Sequence, residues 1–412
     1  MMQRLLFLAH RIPFPPNKGD KIRAWHMLDH LTRSWQVDLG CLVDDPDDLQ
    51  YLNDLRCRCA RVEHAVIAPG SRFARALRGL RPGQPMSLGW FRDASLAAWV
   101  RQGLAEGRYD AVVAYSSAMA PYVLGPELRG VRRVLDMVDV DSEKWLAYAA
   151  DARLPMRHIW AREARTLLAF ERRAAAAFDR TLLVSREEAA RFVELAPECA
   201  ARIDWVANGV DLDHFDPSRA TPDPYGEEAP AIVFTGTMDY RPNIEAVTWF
   251  AEEVLPALRA GQARPPHFHI VGARPADAVR ALAALPGVHV AGAVPDTRPY
   301  MAHAAVAVAP LRIARGIQNK VLEAMAMARP VVASPEAFEG VQARAGRDLL
   351  VADGPAATIA AVQSVLAGGH GGLGAAARMA MAAGHDWRAT LRRLDAALAR
   401  ADTGRVPAET VP

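Results

Sequence analysis

The chain has 412 residues, enough for two or three domains, and 51% of them are hydrophobic, so it can bury substantial cores. A formal net charge of +2 is near balance, so nothing in the total suggests a nucleic-acid binder although the arginines are locally clustered, and charge alone names no partner. Four cysteines, Cys41, Cys57, Cys59 and Cys199, have neither disulfide-scaffold density nor paired zinc-ligand spacing, which points to a reduced, cytoplasmic setting.

In chain order, the opening "MMQRLLFLAHRIPFPP" has an apolar run too short for a signal-peptide core and no small-residue cleavage site, so it reads as a first strand. Short apolar runs follow at 37–43, 64–68, 111–115, 133–138, 181–184 and 203–207, separated by helix-length segments. A second series occupies 231–235, 268–271, 288–291, 304–309, 331–333 and 349–352. Runs apolar on both faces, alternating with helices, predict parallel sheets covered on both sides. Two series predict an α/β chain of two doubly wound, Rossmann-like domains. No run approaches the ~18 apolar residues of a membrane span, so any membrane contact is expected to be peripheral.

Between the series, "DHFDPSRATPDPYGEEAP" replaces periodicity with prolines, acidic residues and a glycine. The expected organisation is an N-terminal domain over 1–212, a linker over 213–230 and a C-terminal domain over 231–385. A closing helix follows over 386–400, and then a disordered tail over 401–412. Ligands of open parallel sheets sit beyond the carboxyl ends of the strands, so two facing sheets offer two half-sites and suit group transfer.

Candidate chemistry concentrates in "RIARGIQNKVLEAMAMARPVVAS", residues 312–334. From about residue 317 the spacing of Val321, Leu322, Ala324, Met325 and Ala328 gives a buried helix face, leaving Lys320 and Glu323 on the opposite flank near the helix start. A helix N-terminus attracts phosphate, and Lys320 adds a full charge. A carboxylate beside a phosphate site suits a ribose, whose vicinal hydroxyls need a two-oxygen acceptor. The plain alternative is a solvated Lys–Glu pair.

"GIQNKVLEAMAMARPVVAS" with "EGVQARAGRDLLVAD" at 339–353 resembles the donor-site signature of glycosyltransferase family 4, retaining transferases of the GT-B fold. The likeness extends in order along the chain, through "NGVDLDHFDP" at 208–217, "FTGTMDYRPNIEAVTWF" at 234–250 and "HDW" at 385–387. Within that family, "HRIPFPPNKGDKIRAWHML", "SSAMAPY", "DMVDVDSEKW" and "APLRIARGIQNKVLEAMAMA" look most like the glycosyltransferases of exosortase/PEP-CTERM exopolysaccharide loci. The resemblance implies two facing domains, with a last helix crossing back to the first. It implies a nucleotide diphosphate sugar donor, a saccharide or polyprenyl-diphosphate-linked acceptor, and no metal or other cofactor. The rival readings are a GT-B sugar-nucleotide epimerase and a weakly catalytic sugar-nucleotide-binding subunit of a polysaccharide assembly.

By this resemblance Glu323 binds the nucleotide ribose and Lys320 the diphosphate, with Gly316, Ile317, Gln318 and Asn319 completing the donor loop. The family commonly has a second glutamate eight positions before Glu323, where this chain has Arg315; a guanidinium there either holds phosphate, stabilising the departing diphosphate, or is a solvated loop arginine. In "GTMDYRPN", Met238 and Asn243 stand near the places of the family's diphosphate-binding Arg and Lys, leaving Arg241 as that loop's cation. Gly236 would let backbone N–H groups approach phosphate, or serve as a plain strand-to-helix turn.

In "PPNKGDKIR", Asp20 is a candidate N-cap, and Lys18 and Gly19 either position acceptor or donor phosphate or form a capped turn. Asp136 and Asp139 replace a family histidine that contacts the donor sugar, so one of them is a candidate for sugar hydroxyls. Asp139 and Asp141 also form the Asp-x-Asp triplet that binds metal in the unrelated GT-A class, and Ser142 is a candidate helix cap. Residues 153–178 predict a long helix carrying Arg153, Arg157, Arg162, Arg165, Arg172 and Arg173, either a membrane-facing surface or a solvated basic face. His10, His26 and His303 lack metal-ligand spacing.

Overall fold

Residues 2–67, 83–125, 130–219, 221–226, 229–314 and 316–399 are described by a computed structural model. The first apolar series forms β1 (Arg4–Ala9), β2 (Gln36–Val43), β3 (Arg61–Val66), β4 (Ala111–Tyr115), β5 (Arg132–Val138), β6 (Arg180–Leu183) and β7 (Ile203–Trp205). The second forms β8 (Ala231–Thr235), β9 (His267–Val271), β10 (Val288–Gly292), β11 (Val306–Ala309), β12 (Val331–Ala333) and β13 (Leu350–Val351). They pair in parallel in the orders β3-β2-β1-β4-β5-β6-β7 and β10-β9-β8-β11-β12-β13. The predicted pair of doubly wound domains is therefore present. In each sheet the order reverses beside the first strand, between β1 and β4 and between β8 and β11, and a crevice opens at such a reversal beyond the strand ends.

Every residue of β4 and β8 is buried, and β1 is buried from Leu5 onward, because helices cover both faces of each sheet. Two apolar clusters flank the N-terminal sheet: Leu6, Leu8 and Val112 lie on one side, Leu5, Phe7 and Val113 on the other. The C-terminal domain has its own cluster around Ile232, Phe234, Phe250 and Phe268.

The chain passes between the domains twice, and the two passages are tied together. Val210 N–H donates to His385 O at 2.7 Å, and Val210 bridges Asp386. His385 is fully buried; its Nε2 accepts from Gln342 N–H at 2.8 Å, so Nδ1 carries the proton donated to Asn208 O at 2.8 Å. Burial lowers the His385 pKa, consistent with this neutral tautomer.

The expected closing helix is two short helices, Trp387–Thr390 and Arg392–Leu398, broken at Leu391. Trp387, Leu391, Leu394 and Leu398 enter the N-terminal cluster with Leu5 and Phe7, so the chain's end does cross back to its first domain. Arg132 Nε donates to Ala397 O at 2.9 Å, and Arg393 lies 3.8 Å over the Trp205 ring. The tail at 401–412 lies outside the described residues.

Leu394→Ala should cost about 2–5 kcal/mol, the usual range for a fully buried leucine in a packed core, read as a lowered urea midpoint. A loss near zero would mean that the crossing helix does not stabilise the first domain.

Candidate functional site

The strand ends of both sheets line one cleft of about 1240 Å³. The helix bearing Lys320 and Glu323 is Asn319–Ala326, starting two residues later than the spacing predicts because Gln318 is still extended. Val321, Leu322, Ala324 and Met325 bury its other face. Lys320 and Glu323 are half-buried and both line the cleft.

Lys320 Nζ donates to Asn243 Oδ1 at 2.6 Å and lies 4.6 Å over the Phe234 ring. Asn243 is anchored by its own amide, whose Nδ2 donates to Thr237 O at 2.9 Å. A neutral amide thus aims the ammonium without cancelling its charge. Burial pushes the Lys320 pKa down to about 7, opposed by Glu323, and pushes the Glu323 carboxyl up to about 7, opposed by Lys320. Asn243, which in the sequence registers only as a missing cation, is the positioning residue for Lys320.

Gly236 and Gly272 bring backbone to this point. A Cβ on Gly272, at φ +152°, would lie 1.6 Å from Gly236 O, so no side chain fits between these loops. Arg241, expected to supply the loop's cation, is exposed and paired with Glu245 at 2.7 Å, off the cleft. Its place near the helix start turns it outward. Arg274 and Arg298 line the cleft instead, paired with Asp239 at 2.8 Å and Asp296 at 2.7 Å.

From the N-terminal domain, Lys18 and Gly19 line the cleft as the extended cap and first residue of the helix Gly19–Leu31. Asp20 is inside that first turn rather than capping it. Its Oδ2 accepts from Arg11 at 2.7 Å and lies 3.5 Å from His10 Nε2. Burial raises its pKa, but His10 and Arg11 outweigh that and hold it far below the usual carboxylate range. Ser142 also does not cap; its hydroxyl donates to the buried Glu171 at 2.6 Å.

The two aspartates separate. Asp136 is completely buried beneath the cleft, its carboxylate held by Arg23 Nη2 at 2.7 Å and Nε at 3.1 Å, so it cannot contact a ligand. Arg23 Nη1 further donates to Val206 O at 2.7 Å and Asn208 Oδ1 at 3.0 Å. Asn208 Nδ2 then donates to Asn319 Oδ1 at 3.1 Å, reaching the first residue of the Lys320 helix.

Asp139 faces the cleft, and its buried Oδ1 has no hydrogen-bond partner among the described residues. Burial, Glu188 and Asp141 push its carboxyl up to about 7. Between the aspartates, Val138 sits at φ +67°, a strained conformation for a β-branched residue, and Ser116 at the end of β4 has φ +78°. Gly316, Ile317 and Gln318 also line the cleft. A Cβ on Gly316, at φ +66°, would lie 2.6 Å from Asp139 Oδ1, so glycine is required where this loop meets the N-terminal domain. The Arg315 assignment lies outside the described residues.

Residues 229–368 match the family model described as "Glycosyl transferases group 1". Over the whole chain, the structure is similar to sucrose-phosphate synthase from Thermosynechococcus elongatus, with TM-score 0.68 and 17% identity, covering 96% of this chain and 98% of that one. The fold is GT-B. Anabaena Alr3699/HepE in complex with UDP and glucose aligns with TM-score 0.65 and 13% identity over 96% of this chain and 99% of that one. WaaG, a glycosyltransferase involved in lipopolysaccharide biosynthesis, aligns with TM-score 0.65 and 16% identity over 96% and 100%. No curated protein matches the sequence. In this GT-B chain the open glycine loops and the Lys320 helix belong to the C-terminal domain, and the Asp139 loop faces them from the N-terminal domain.

Because Arg23 is the counter-charge of a buried carboxylate, Arg23→Met should destabilise by about 3–5 kcal/mol. Adding Asp136→Leu should recover much of that loss in urea unfolding. Strict additivity of the two would show that the pair is not coupled.

Proposed function

We propose that this protein is a retaining glycosyltransferase that moves a sugar from a nucleotide diphosphate donor to a saccharide or polyprenyl-diphosphate-linked acceptor. The observation that carries the reading is the cleft helix Asn319–Ala326, which presents Lys320 beside two close-packed glycine loops and Glu323 one turn on. The complexes of Anabaena Alr3699/HepE with UDP and with UDP-glucose support a uridine donor.

In this reading Glu323 accepts the ribose hydroxyls, and the Lys320 ammonium meets the diphosphate. As the bond from the sugar's anomeric carbon to the diphosphate breaks, charge grows on the departing oxygen, and a preplaced cation in a partly dehydrated cleft stabilises it. The acceptor oxygen bonds to that carbon from the same face, and its proton passes to a donor phosphate oxygen. Asp139 is the N-terminal group proposed for sugar hydroxyls, since it faces the cleft and its Oδ1 has no hydrogen-bond partner among the described residues. Arg315 is a further proposed diphosphate contact on sequence grounds alone, and no metal is invoked.

A peripheral membrane contact, matching a lipid-linked acceptor, is supported by exposed Leu146, Leu154, Met156 and Ile159 around the helices Asp141–Asp151 and Met156–Ala177, with Arg153 and Arg157 also exposed. Among the described residues no helix is long and apolar enough to cross a membrane. The exopolysaccharide role, of the exosortase/PEP-CTERM kind, rests on the sequence resemblance.

A thermal-shift screen with UDP-, GDP-, ADP- and TDP-sugars should give one clear hit, since a ligand that binds only the native state raises its stability. Glu323→Ala should weaken that binding roughly ten- to a hundredfold, the worth of a charged hydrogen bond, and abolish transfer. Normal transfer by this variant would remove the ribose assignment, and donor turnover without acceptor would favour an epimerase.

Lys320 and Glu323 titrate as a pair near 7, which sets a pH dependence. Affinity for UDP-glucose should rise as Glu323 ionises toward about 7 and fall above it as Lys320 loses its proton. Glu323→Gln should remove the acidic limb and Lys320→Met the alkaline limb in calorimetric titrations, whereas a flat profile for the unaltered protein would exclude both roles.

A further inference from the structure

At the far edge of the C-terminal sheet, His267 and His269 lie two apart on β9 and so share a face, and His289 pairs in register with His269 from the edge strand β10. The His269 and His289 rings stack with centroids 4.6 Å apart at 10°, and His289 Nε2 lies 3.1 Å from His267 Nδ1. One ring nitrogen from each of the three falls within 4.8 Å of the other two. None of the three lines the cleft, which begins at Val271, the opposite end of β9.

We propose that His267, His269 and His289 form a binding site for a divalent transition cation of the Zn²⁺ class, independent of the sugar-nucleotide cleft. Among the described residues the cluster is three imidazoles, a donor set that suits borderline-soft cations better than Mg²⁺ or Ca²⁺. Zn–N bonds of 2.0–2.1 Å place tetrahedral ligand atoms about 3.3 Å apart, so the His289–His267 pair at 3.1 Å is already near that separation and the third ligand atom lies within 4.8 Å. The Tyr225 ring packs 4.4 Å from His269, and its hydroxyl donates to Tyr300 O at 2.5 Å, walling the inner side. His289 is exposed, so the remaining position opens to water.

A bound cation would clip the bulged edge strand β10 to β9, whose other end leads into Gly272 beside Gly236. Its role would be structural, adding stability by mass action while leaving the chemistry of the cleft alone.

The test uses the full chain, free of any affinity tag and stripped with chelator, titrated with Zn²⁺ by calorimetry and by thermal unfolding. One equivalent should bind and raise the melting temperature. His289→Ala, at an exposed position, should weaken binding by more than the roughly 10–100-fold that loss of an outer partner costs. Co²⁺ should give the visible absorption of a nitrogen-ligated four-coordinate ion, absent in the variant. Unchanged circular dichroism and UDP-glucose binding in His289→Ala would show that fold and cleft are intact. Lack of stoichiometric binding, or binding undiminished in that variant, overturns the site.

Discussion

The ion pair of Arg23 with Asp136 holds the rest of the cleft in place. Both side chains are almost wholly out of water, where an unpaired charge would cost several kcal/mol. The guanidinium meets that demand with its full fork, two nitrogens on the Asp136 carboxylate and a third on Val206 O and Asn208 Oδ1. It therefore fixes the end of β5, the exit of β7 and the helix Gly19–Leu31 against one another. Through Asn208 and Asn319 the constraint reaches the second domain and sets where Lys320 begins.

Above this floor the site balances dehydration against charge. Lys320 and Glu323 are drawn toward neutrality by burial and toward ionisation by each other, so each stays poised near neutral pH. An anionic ligand arriving at Lys320 tips that balance toward the charged ammonium. On the facing domain Asp139 is similarly poised, at the end of a strand strained at Val138. Strain of this sort persists where the surrounding structure over-determines it, and here Asp136 accepts from Val138 N–H at 3.0 Å while Val138 O accepts from Val184 N–H at 2.7 Å.

Much of the architecture was legible in the sequence because parallel strands buried on both faces leave unbroken apolar runs, as in Ala111–Tyr115 and Ala231–Thr235. Lys320 and Glu323 were legible because helical periodicity leaves them on the unburied flank. What escaped were partnerships between residues distant in sequence. Asp20 and Ser142 look like helix caps locally, yet their carboxylate and hydroxyl are taken by Arg11 and Glu171. Asp136 and Asp139 are equivalent on paper, and only the depth of Asp136 below Arg23 distinguishes them. His267 and His269 sit in a visible His-x-His, but His289 joins them only through the β9–β10 register.

Asn243 shows how a departure from a familial pattern can keep the same physics. A second lysine beside Lys320 would bring two ammonium groups together in a partly dehydrated pocket and push both toward the neutral form. An amide oxygen instead accepts one ammonium proton, orients the rest toward the cleft, and leaves the site's charge concentrated on a single group. If the cleft takes the proposed diphosphate, the cost is less total positive charge, which Arg274 and Arg298 on the same rim supplement only partially because Asp239 and Asp296 already engage them. In the proposed role one oriented ammonium replaces two, so that role depends on the geometry that Asn243, itself held by Thr237 O, imposes on Lys320.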